Sequence, residues 1–216
     1  MHFTGNEMVW ECNARNVCEC GHIAHGATPF IKSRLQKLTR QLPESSKGHD
    51  GSEAARLWAV IVRDYSHRKL TNTGDKLVAL SGLARAILEY VGQPSSIYAA
   101  GLWSSELPKH LLWRRIDSNI ASSEPRRSSG CRAPTWSWAS LDHAVEYGSD
   151  IFGPETVHLK IIECVIDLQS PLHPMGAVAW GRLTVKGFLR PVDVLVKNMK
   201  GNITTGPRRR MCRHNR

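Results

Sequence analysis

The chain reads as an α+β protein, a helical part followed by a polar linker and a small antiparallel β part. Three observations predict this. Apolar residues recur at helical spacing between 51 and 113. A Ser- and Arg-rich stretch with little to bury occupies 114–130. Beyond it the apolar period falls to two. The same shifts divide the 216 residues into a Cys/His-rich N-terminal segment (1–50), a helical region (51–113), a basic linker (114–130), a β-rich region (131–196) and a basic, disordered tail (197–216). That length is enough to bury a real core.

Within 1–50, a short helix is expected around 31–42, where Leu35, Leu38 and Leu42 share a face and Pro43 ends the run. The clearest helix follows. Ser52 is a plausible N-cap, and Leu57, Trp58, Ile61, Val62 and Tyr65 fall on one face opposite Arg56, Arg63 and Asp64. After a turn at 71–74, a second helix is expected over 75–91. Leu77, Leu80, Ala84, Ile87, Leu88 and Val91 form its stripe, and Asp75 caps its start. Ala79, Gly82 and Ala86 are small enough to admit a neighbouring backbone. A third, short helix, capped by Ser104 or Ser105, holds Leu107, Leu111 and Leu112, with Pro108 tolerated in its first turn.

The β part begins with Trp136 and Trp138, which in an extended chain face the same side. Pro134 before them fits entry into an edge strand. We read the two indoles as a core or interface latch rather than an exposed binding platform, because together they bury a large apolar area. Val157, Leu159 and Ile161 then alternate with polar residues, as do Ile162, Cys164, Ile166 and Leu168. The slip of phase at Ile161-Ile162 predicts a bulge or a strand buried on both faces. Leu183, Val185 and Phe188-Leu189 mark a second strand, and Pro171, Pro174 and Gly176 lie in the loop between antiparallel neighbours.

Charge narrows the function classes. The formal net charge is +10, and it resides in two places: +3 over 114–132 and +7 over 197–216. Everything else balances. Nucleic-acid binding by these runs is not expected, because neither interleaves its Arg and Lys with stacking aromatics. Solvated, irregular chain is the simpler reading. No run of about 18 apolar residues exists, so no membrane span is expected. The start lacks the basic and apolar regions of a secretory signal, and a cytoplasmic location with reduced thiols follows.

Cys12, Cys18, Cys20, His22 and His25 are the one group of metal-ligand type. Their spacing departs from attested zinc patterns, since no Cys-x-x-Cys pair is present. Whether they bind zinc or remain free thiols stays open, and no metal, cofactor or catalytic residue is assigned. Ser81 and Ser137 lack the nucleophile-elbow pattern, and no phosphate-cradling glycine loop is present. His67-Arg68 with Asp75 has the residue types of a catalytic pair, but the capping role suits Asp75 better.

Four blocks carry a resemblance. Trp58, Ile61-Val62 and Tyr65-Ser66-His67-Arg68-Lys69-Leu70-Thr71 come first, followed by Asp75-Lys76-Leu77-Val78-Ala79-Leu80-Ser81-Gly82-Leu83-Ala84. Next stand Tyr98-Ala99-Ala100-Gly101-Leu102-Trp103 with Leu111-Leu112-Trp113, and then Ala133-Pro134-Thr135-Trp136-Ser137-Trp138-Ala139-Ser140. In this order they resemble the region that follows the HET domain in fungal heterokaryon-incompatibility proteins, over roughly residues 10–189. The resemblance implies a part in fungal non-self recognition and programmed cell death. The HET domain's own blocks, Leu-Ser-Tyr-x-Trp-Gly and Ile-Asn-Gln, are absent. The expectation is therefore a noncatalytic accessory region, a fragment without the HET domain itself, that packs on such a domain or on another protein partner. The alternative is a small metal-binding or thiol-dependent enzyme built on the N-terminal Cys/His group.

Overall fold

The computed structural model describes residues 51–68, 70–91, 97–116, 132–148 and 158–188, with short pieces at 2–3, 8–11, 16–18, 31, 34–35, 195–197 and 203–205. Helices and small antiparallel sheets alternate along them, an α+β arrangement. Near the N-terminus β1 (His2–Phe3), β2 (Met8–Glu11) and β3 (Asn16–Cys18) form one antiparallel sheet. Of the expected 31–42 helix, Ile31, Arg34 and Leu35 are helical, and Ile31 and Leu35 pack half-buried on the core. The rest lies outside the described residues.

Helix α1 (Gly51–Ser66) follows the sequence reading. Leu57, Trp58, Ile61 and Val62 are buried while Glu53, Arg56 and Arg63 are exposed. Removing a side chain as large as Trp58 from such a site costs about 3–5 kcal/mol. The second helix differs from expectation. Two 3-10 turns, Thr73–Lys76 and Val78–Leu80, precede α2, which spans only Ser81–Val91. The cause is local. The Asn72 side chain accepts the Gly74 N–H at 3.0 Å and closes a tight turn before an α-helix can start. Asn72 thus takes the capping role expected of Asp75. Tyr90 joins the buried stripe, and Gly82 meets no neighbour: a Cβ there would find nothing within 4 Å.

Strands β4 (Tyr98–Ala99) and β5 (Leu102–Trp103) form a hairpin. Its two turn residues both have positive φ, 49° at Ala100 and 93° at Gly101, the geometry that suits the twist of paired strands. The third helix is shorter than expected. A 3-10 turn, Ser104–Glu106, leads into α3 (Leu107–His110), with Pro108 in its first turn. Leu111 and Leu112 fall in the following turn and Leu112 is exposed. Ser104 does not cap; its Oγ accepts from the Ile97 N–H at 2.8 Å.

Arg114 and Arg115, read from sequence as the start of the linker, lie in β6 (Trp113–Arg115), which pairs with β7 (Val145–Tyr147). Residues 117–131 lie outside the described residues. The β part is dominated by β8 (Lys160–Leu168) and β9 (Val178–Lys186), an antiparallel hairpin. Its register shifts between Ile161 and Glu163, so the bulge predicted from the slip of phase is present. Ile161, Cys164, Ile166, Leu168 and Leu183 face inward; Ile162, Trp180 and Val185 are exposed. Finally β10 (Leu195–Lys197) pairs with β11 (Ile203–Thr205). Helical and β parts share one core: Met175, Val178, Val145 and Trp138 pack into the same buried cluster as Trp58, Leu80 and Ile87. Among the described residues no helix is long and apolar enough to cross a membrane.

Candidate functional site

The four sequence blocks meet at one turn of backbone. Ala100 and Gly101 turn their carbonyls inward, and two indoles and a hydroxyl from two separate elements satisfy them. Trp58 Nε1 of α1 donates to the Gly101 carbonyl at 2.9 Å, and Trp138 Nε1 donates to the same oxygen at 2.9 Å. Ser137 Oγ donates to the Ala100 carbonyl at 2.6 Å. Only glycine fits at 101. Its φ is left-handed, and a Cβ would lie 2.7 Å from Trp138 Nε1 and 3.2 Å from Leu77 Cδ2.

The segment around the two tryptophans is not the extended strand expected. The Ser137 N–H donates to the Pro134 carbonyl at 2.9 Å, and Ser137 Oγ accepts the Ala139 N–H at 3.0 Å, capping a 3-10 turn at Trp138–Ser140. A serine that bonds its own backbone two residues on diverts the chain from a strand. The indoles therefore part company. Trp138 is fully buried, with Tyr65 against its ring at 6.3 Å between centroids. Trp136 is half-buried and leans on the β8–β9 hairpin at Gly181, where a Cβ would come within 3.3 Å of its Cζ2 and 2.7 Å of Pro134 Cγ.

Cations clamp the same segment. Lys76 is buried, donates to the Leu141 carbonyl and sits 5.2 Å from the Trp138 ring centre. Arg132 donates from Nε to the Ala139 carbonyl at 2.6 Å, from Nη1 to the Thr73 carbonyl at 3.4 Å, and pairs with Asp142. Burial, and then the Arg132 charge, pull Lys76 down to about 8, while Asp142 opposes them. Two further ties close the junction. Trp113 Nε1 donates to the Trp136 carbonyl at 2.9 Å, and Ser66 Oγ accepts the Val145 N–H at 2.9 Å at the end of α1.

These environments bear on each candidate for chemistry. Ser137 is spent on two backbone groups and is fully buried, so it is no exposed nucleophile. His67 Nδ1 lies 2.7 Å from the Arg63 carbonyl and Arg68 pairs with Asp64 at 2.8 Å, each within its own helical turn rather than with Asp75. Cys164 is half-buried and burial raises its thiol, the opposite of activation. Of the N-terminal group, Cys18 falls in β3, and Cys12, Cys20, His22 and His25 lie outside the described residues. No metal-binding group of three or more His, Cys, Asp or Glu occurs among the described residues. Sequence reasoning passed over Lys76 and Arg132. Their signal was a lysine between exposed Asp75 and apolar Leu77, and an arginine just before the tryptophan block. No protein-family model, curated protein or solved structure matches the chain.

Proposed function

We propose that the chain is a noncatalytic accessory module of the heterokaryon-incompatibility type, acting in the cytoplasm in fungal non-self recognition and cell death. It would work by packing against a HET domain, on the same polypeptide or on a partner. One observation carries the reading. The residues that compose the recurring blocks are engaged in holding the module together: Trp58, Gly101, Ser137 and Trp138 close on one turn, and Lys76 braces it. Side chains engaged in such a junction need no reaction to account for them.

The test is binding. Purified full-length chain titrated into a HET domain of such a protein is expected to form a complex, detected by calorimetry and co-elution. Absence of binding, together with bound zinc in the purified chain and loss of a hydrolytic or transfer activity on thiol alkylation, would sink the reading in favour of the metal- or thiol-dependent enzyme.

A further inference from the structure

We draw no further inference here: the strongest candidate, the exposed apolar patch of Ile162, Trp180 and Val185 on the β8–β9 hairpin, carries nothing because nothing in the structure shows what covers it.

Discussion

Two groups of buried aromatics flank the β4–β5 hairpin, and they are satisfied in opposite ways. On the turn side every polar tip that reaches Ala100 and Gly101 finds a carbonyl, so Trp58, Trp138 and Ser137 are bonded to backbone. On the strand side the polar tips of Tyr98, Trp103 and Tyr147 have no hydrogen-bond partner among the described residues. The first group depends on backbone shape: a left-handed glycine aims one carbonyl at two indoles. The second depends on ring-against-ring contact between side chains. Loss of a side chain should therefore cost most where it leaves a buried carbonyl short of donors as well as a void.

That contrast is sharpest at the two tryptophans of a single block. Trp138→Ala should destabilise the fold by about 3–5 kcal/mol. It opens a cavity beside Tyr65, takes one of two donors from Gly101 and removes the ring under Lys76. Trp136→Ala should cost roughly half as much, since that ring is half-buried and its Nε1 makes no hydrogen bond among the described residues. Chemical denaturation of both variants checks the order. Equal losses would mean that the hairpin contact at Gly181 matters as much as the junction at Gly101.

How much of this was legible depends on the range of the interaction. Helix α1 and the β8–β9 hairpin follow from apolar periodicity, which one-sided burial imposes, and even the bulge beside Ile162 shows as a slip of phase. Two of the failures, the 75–80 stretch and the tryptophan block, share a cause. At Asn72 and Ser137 a short polar side chain bonds nearby backbone and forces a tight turn, which overrides a pattern read as helix or strand. Those residue types are turn signals in sequence, but they do not say which will win. The junction itself was not legible. Ala100-Gly101 is a weak hairpin signal, and its partners Trp58 and Trp138 come from distant parts of the chain. Lys76 and Arg132 were hidden for the same reason, because their acceptors are carbonyls that only the folded turn presents.

Lys76 offers a way to separate the two groups by pH. Its folded value, about 8, lies below its ordinary 10.5. Between these pH values the unfolded chain binds more protons than the folded one, so stability should rise with pH, at most by about 1.4 kcal/mol per unit. Tyr98 and Tyr147 act in the other direction. Burial raises both, so above about pH 10 the unfolded phenols ionise first and stability should fall. Melting temperature followed from pH 7 to 11 should therefore pass through a maximum near pH 10 (approximate, as the phenol reference value sets it). Lys76→Met should flatten the rising limb and keep the falling one. A Lys76→Met profile that still rises would show that the junction does not hold the depressed amine.

The smallest effect is expected on the outer face of the β8–β9 hairpin, which neither group touches. Arg182 and Glu163 pair there at 3.1 Å across the strands, with both side chains largely in solvent. Such a pair gains little, because water screens the charges and two long side chains must be held in one geometry. A double-mutant cycle with Arg182→Ala and Glu163→Ala should give a coupling of less than about 0.5 kcal/mol, smaller still in high salt. Ile162, Trp180 and Val185 are exposed on the same hairpin, so the cycle also reports whether that surface is idle in the isolated chain. A coupling several times larger would mean that the hairpin's solvent face is ordered more tightly than its exposure implies. The division between a braced junction and a loosely held rim would then have to be redrawn.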